Sequence, residues 1–124
     1  MLFRSDASFI VAGQINGGKH QIFQIYSAGN FIEATPRTQF VQIGETKYGK
    51  PILDRALTFE PPPYEAAKLA LLSFDATIRS NLSVAAPVDL VIYRAGKLVP
   101  ERRFKFRNAD PYWTALREIG RAHV

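Results

Sequence analysis

Three successive prolines, Pro61-Pro62-Pro63, constrain this 124-residue chain more than any other feature. Each fixes φ near about −65° and lacks an N–H, and each pushes the residue before it out of the helical region. No helix can cross the run, but one can begin at its end. The sequence that follows predicts a long helix over residues 64–81. Ala66, Leu69, Ala70, Phe74, Thr77 and Ile78 form its expected buried stripe, and Glu65 sits where an acid complements the helix dipole.

Before the prolines the hydrophobic period is that of strands. Residues 7–15 carry Phe9, Ile10, Val11 and Ile15, and Asn16-Gly17-Gly18 supplies turn chemistry. Residues 21–26 alternate again, Ser27-Ala28-Gly29-Asn30 turns the chain, and residues 31–34 form a third strand. An antiparallel meander with one face in a core is expected. Residues 40–43 predict a further strand ending at Gly44. Beyond Thr46, Tyr48, Ile52, Leu53 and Ala56 fall at helical intervals, and Pro51 fits the first turn of a helix starting near Lys50.

After the long helix, residues 88–93 predict a strand, with Ala95-Gly96 turning it into a hairpin with residues 97–99. Asp110-Pro111 starts a last short helix carrying Tyr112, Trp113 and Leu116. A run of strands, two helices and more strands define an α+β fold class, with no internal repeat and no domain boundary.

A hydrophobic content of 47% describes one globular domain or part of one. The absence of cysteine removes disulfides and any cysteine nucleophile. With His20 placed in an exposed turn, a local metal cluster is implausible, so no cofactor is expected. The apolar run over residues 66–74 is interrupted by Lys68 and is too short to cross a bilayer, so no membrane partner is expected.

The formal net charge of +5 concentrates in Arg102-Arg103-Phe104-Lys105-Phe106-Arg107. Such a strip can track phosphates and stack bases, or it can be an edge strand whose charges discourage association. The second reading is favoured, and no nucleic-acid partner is expected, because no companion motif accompanies the strip.

The two ends carry a different signal. Residues 1–5 can be encoded by GTG-CTC-TTC-CGA-TCT, and residues 118–124 by GAG-ATC-GGA-AGA-GCA-CAC-GTC. Apart from the opening G of the second string, these match opposite strands of one common sequencing adapter. Both tails are therefore expected to be adapter-derived and are set aside from fold reasoning.

The stretch Gly44-Glu45-Thr46-Lys47-Tyr48-Gly49-Lys50-Pro51-Ile52-Leu53-Asp54-Arg55, with Arg79-Ser80-Asn81-Leu82-Ser83 further on, resembles the C-terminal half of a bacterial proteasome-type peptidase of the Anbu, or ancestral-beta-subunit, group. The resemblance runs from about Ala7 to Leu116 and implies that residues 6–117 are part of an N-terminal-nucleophile hydrolase. That fold is a four-layer αββα sandwich, of which this segment would supply antiparallel strands and one helix pair.

In the family the nucleophile is a Thr or Ser at the mature N-terminus, supported by an Asp and a Lys. The resemblance places all three upstream, so no catalytic residue is expected in this chain. What it implies here is a supporting shell. Glu45 or Thr46 would stand in for a family serine, Ser83 matches a second serine, and Ser80 takes the place of a family aspartate with Asn81 beside it. Ordinary helix termination accounts equally for Ser80, Asn81 and Ser83. An N-cap and first-turn acid account for Glu45 and Thr46.

The resemblance further implies a cytoplasmic homo-oligomer whose intact parent cleaves peptide or unfolded-protein substrates. Tyr48, Arg55, Tyr112 and Trp113 would face a neighbouring subunit, unless the aromatics pack locally. The chain alone is expected to be inactive, with unpaired strand edges and exposed apolar faces. A non-catalytic assembly subunit of the same fold and a small basic nucleic-acid-binding domain are the alternatives.

Overall fold

The alternating segment at the front of the chain folds as an antiparallel meander, β1 (Phe9–Gly13), β2 (Gln21–Ile25) and β3 (Phe31–Glu33), in that spatial order. In this computed structural model, which describes residues 7–58 and 62–122 with side chains through residue 119, Val11 pairs with Phe23 and Phe23 with Glu33. Gly17 makes the first turn possible, because its φ of 86° lies where a Cβ is disfavoured. His20 is exposed beside that turn, as its position predicts.

The expected core face of the meander is not found. β1 is exposed along its whole length, and Phe9, Val11 and Phe31 are 58%, 51% and 64% exposed. The pattern for burial is present, but no described element lies over that face. Residues 40–43 likewise form no ladder. A strand needs a hydrogen-bonded partner as well as β-favouring residues, and none is found among the described residues.

Pro51 falls in the first turn of α1 (Lys50–Ala56), and α2 (Pro63–Ser80) begins on the last of the three prolines, whose missing N–H costs nothing there. The stripe expected on α2 needs correction. Its buried residues are Ala67, Leu71, Ser73, Asp75 and Thr77, whereas Phe74 is 47% exposed. Leu71 and Asp75 point toward the core and α3, and Ser73 and Thr77 toward the start of α1. Phe74 lies between these two flanks and is left uncovered.

The hairpin expected at residues 97–99 is also corrected. β4 (Val88–Ile92) pairs antiparallel with β5 (Arg102–Phe106), Val88 opposite Phe106. Gly96 and Leu98 both take positive φ, at 85° and 61°, and the Leu98 N–H donates to the Tyr93 hydroxyl at 3.1 Å. The loop is thus curled back on Tyr93 and cannot continue a ladder. The basic strip is the strand β5. Its Phe106 is buried and Phe104 half-buried, so these rings pack inward and are not offered for base stacking.

Asp110 begins α3 (Pro111–Ala122), accepting the Trp113 N–H on Oδ1 at 3.0 Å. The helix continues through residues 118–122, part of the expected C-terminal tail; residues 1–5 and 123–124 lie outside the described residues. Trp113 is fully buried with Leu71, Val88, Phe106 and Leu116, which decides its role as core packing, while Tyr48 and Tyr112 are exposed. A buried Asp75 clasps α2 to α3. It binds Arg79 at 2.5 Å and Arg117 at 2.8 Å, and Arg79 also donates to the Arg117 carbonyl at 2.8 Å. The architecture is α+β, with the main core between α2, α3 and the β4–β5 pair.

Candidate functional site

The candidate residues lie where the chain enters α1 and leaves α2, and a glycine contact brings these places together. A Cβ on buried Gly49 would stand 2.2 Å from the Ser73 Oγ, 3.0 Å from the Ser73 carbonyl oxygen and 3.1 Å from the Thr77 Oγ1. Only a residue without a side chain lets the head of α1 lie this close to α2. Thr77 donates its hydroxyl proton to the Ser73 carbonyl at 3.0 Å, so α2 presents a small, satisfied surface to the glycine.

Five residues before Gly49, Gly44 turns the chain out of the 40–43 segment with φ of 84°. The turn carries Glu45 toward the end of α2. Its Oε1 accepts the Lys47 N–H at 2.9 Å and its Oε2 accepts a proton from Asn81 Nδ2 at 3.1 Å, a contact spanning 36 residues. Asn81 ends α2, its own N–H reaching the Thr77 carbonyl at 2.9 Å. The Asn81 Oδ1 then accepts both the N–H and the hydroxyl of Ser83, at 2.9 and 2.6 Å.

Glu45, Asn81 and Ser83 therefore form one hydrogen-bonded chain. The Asn81–Ser83 part is an Asx turn of the kind that terminates many helices. The link to Glu45 goes beyond helix termination, because it fixes one connection against another.

Two candidates stand apart. Ser80, the last residue of α2, is exposed and outside the chain of bonds. Thr46 is half-buried, its carbonyl accepts the Lys50 N–H at 3.0 Å, and it lines an adjacent open cavity of about 720 Å³ with Gly44, Lys50 and Asp54. Neither Glu45 nor Thr46 acts as the cap of α1, whose N-cap is Gly49 with no side-chain bond. Leu82, between Asn81 and Ser83, projects fully into solvent. Two residues of the site are not among those expected from the sequence, though each leaves a signal there: for Gly49, a glycine beside a helix start followed by small residues on the next helix, and for Asp75, an acid inside an apolar stripe with Arg79 one turn on.

Among the described residues no group of His, Cys, Asp or Glu has the arrangement of a metal site. No described helix is long and apolar enough to cross a membrane.

Antiparallel strands, a close α1–α2 pair and a hydrogen-bonded joint between their connections make an α+β arrangement consistent with a relative of the N-terminal-nucleophile hydrolases. Solved structures sharpen the assignment. A Gly-1 mutant of Anbu from Hyphomicrobium sp. strain MC1 is 51% identical with a TM-score of 0.89, over 94% of this chain and 51% of its own. The helical assembly of the Anbu complex from Pseudomonas aeruginosa is 52% identical, TM-score 0.88, over 94% and 48%. Anbu (ancestral beta-subunit) from Yersinia bercovieri is 42% identical, TM-score 0.90, over 95% and 50%.

The chain belongs to the Anbu family of proteasome-like proteins, and it spans about half the length of the solved relatives it matches. No family model and no curated protein matches it.

Proposed function

We propose that residues 6–117 are the C-terminal half of a proteasome-like threonine- or serine-type endopeptidase subunit, flanked by adapter-derived tails at 1–5 and 118–124. The intact parent would hydrolyse peptide bonds within a homo-oligomeric, cytoplasmic complex. The observation that carries this reading is identity of 51% at a TM-score of 0.89 over nearly all of this chain but only half of an Anbu chain. The helical assembly reported for the Pseudomonas aeruginosa relative supports the oligomer.

The chemistry needs no histidine. A free α-amine has a pKa of about 7.7–8.0, so near neutral pH it accepts the proton of the hydroxyl on its own residue. The hydroxyl oxygen attacks the peptide carbonyl, and the amine returns that proton to the departing amine of the substrate, leaving an ester. Water then hydrolyses the ester and regenerates the hydroxyl. In this reading Glu45, Asn81 and Ser83 hold the floor beneath that residue, with Thr46 and Ser80 at its margin, and none of the five bonds to substrate.

A single-chain fusion of residues 6–117 behind the unmatched half of the Hyphomicrobium relative tests the reading. A hydroxyl-directed acylating probe is expected to modify its processed first residue and no serine or threonine of residues 6–117. Labelling at Thr46, Ser80 or Ser83 would refute it.

A non-catalytic assembly subunit of the same fold is the second reading, favoured by the exposure of Ser80 outside the hydrogen-bonded chain at the position where the resemblance expects an aspartate. Absence of any adduct on a folded, assembled fusion would select it.

A further inference from the structure

The meander has an apolar face that water should not see. By register, Phe9, Val11, Phe23, Ile25 and Phe31 share one side of the sheet, with Phe23 and Phe31 in edge-on contact at 5.8 Å. An antiparallel sheet exposed on one side ordinarily turns polar residues outward there. A contiguous apolar patch of this kind marks an interface.

The opposite side is open too. An open cavity of about 1140 Å³ lies between Ile22 and Ala34 of the meander, Ala66, Ala67 and Ala70 of α2, and Ile92 of β4. Three alanines on one helix allow another backbone to approach closely. Beside the sheet, residues 40–43 run without a ladder partner among the described residues, and no backbone hydrogen bond engages them there. Unpaired backbone N–H and C=O groups of this kind are what an added strand pairs with.

We infer that these faces form a docking surface for the half of an Anbu-type chain that lies outside the match, and that the chain recruits this half even as a separate polypeptide. The inference rests on the family reading above. The described backbone superposes at a TM-score of 0.89 on relatives that carry about as much chain again. A second copy of this chain fits less well, because two meanders placed face to face would cover the phenylalanines and leave both the cavity and residues 40–43 unfilled.

The test mixes the 124-residue chain with the separately expressed unmatched half of the Hyphomicrobium relative. A one-to-one heterocomplex is expected by light scattering. Amide exchange should slow at residues 9–13 and 40–43. Val11→Asp is expected to weaken association by about tenfold or more, whereas Val99→Asp, on an exposed loop, leaves it unchanged. Circular dichroism confirms that both variants keep their helices, and Phe31→Asp serves in place of Val11→Asp should the latter unfold.

No heterocomplex, a homodimer that persists in excess of the added half, or protection confined to α3 would each overturn the inference. A complex that forms but cleaves no peptide keeps the docking surface and removes the peptidase. A fused single chain that cleaves peptides while the separate halves ignore each other does the reverse.

Discussion

Gly49 lies so close to Ser73 that a methyl group on it would overlap the serine hydroxyl, at 2.2 Å from Oγ. The neighbouring Ser73 carbonyl belongs to the α2 backbone and cannot rotate away. Gly49→Ala is therefore expected to destabilise the chain by about 1–3 kcal/mol, as overpacking does. Because the same contact sets the distance between Glu45 and Asn81, the variant should also speed amide exchange at Ser83. Chemical denaturation and exchange check the two effects; an unchanged midpoint would show that α1 is not held at this place.

Asn81 joins the end of α2 to Glu45 on one side and Ser83 on the other. Asn81→Ala removes both links and is expected to cost about 1 kcal/mol. Asn81→Asp keeps the acceptor for Ser83 but sets a second carboxylate against Glu45. It should be less stable than the wild type at neutral pH, and Glu45→Gln should restore part of the loss. A double-mutant cycle by denaturation reads the coupling.

The Asp75 clasp makes a different demand. Its carboxylate is nearly inaccessible, whereas the side chains of Arg79 and Arg117 are 23% and 25% exposed. Removing the acid in Asp75→Ala leaves two arginines facing one another beside Trp113, at an expected cost of about 3 kcal/mol. Arg117→Met should cost less, because Arg79 still pairs the carboxylate. Equal losses in thermal unfolding would mean that packing, and not charge pairing, joins α2 to α3.

Trp113 fills the centre of the core among Leu71, Val88, Phe106 and Leu116. Trp113→Ala is expected to remove about 3–5 kcal/mol, enough to unfold this small chain. Loss of the helical dichroism and of a cooperative denaturation transition in the variant checks it.

Much of the fold is legible in the sequence wherever the deciding forces are local. The triple proline fixes the start of α2, and Asp110-Pro111 fixes that of α3, because capping and proline geometry act within a few residues. What the sequence hides depends on distant partners. Residues 40–43 have the composition of a strand, yet a ladder requires a second chain segment. The turn signal at Ala95-Gly96 is genuine, but the loop beyond it is captured by Tyr93, and the charged strip supplies the pairing strand through Phe104 and Phe106.

The same division runs through the candidate site. Asn81 and Ser83 stand out in the sequence through the family resemblance, and the helix-ending turn they form is local, because an Asx turn spans two residues. Their contact with Glu45 is not, since it depends on where Gly49 lets α1 settle. Phe74 belongs to an apolar stripe by periodicity and is exposed in the structure, since periodicity specifies a face and not what covers it.

Hydrolysis of a fluorogenic peptide series by the 124-residue chain, measured beside the single-chain fusion to the unmatched half of the Hyphomicrobium relative, tests the central claim most directly. The fusion is expected to turn over peptide and to lose that activity when its terminal amine is acetylated, while the chain alone shows none. Turnover by the chain alone, abolished by substituting one of its own serines or threonines, would contradict the claim that its reactive residue lies elsewhere.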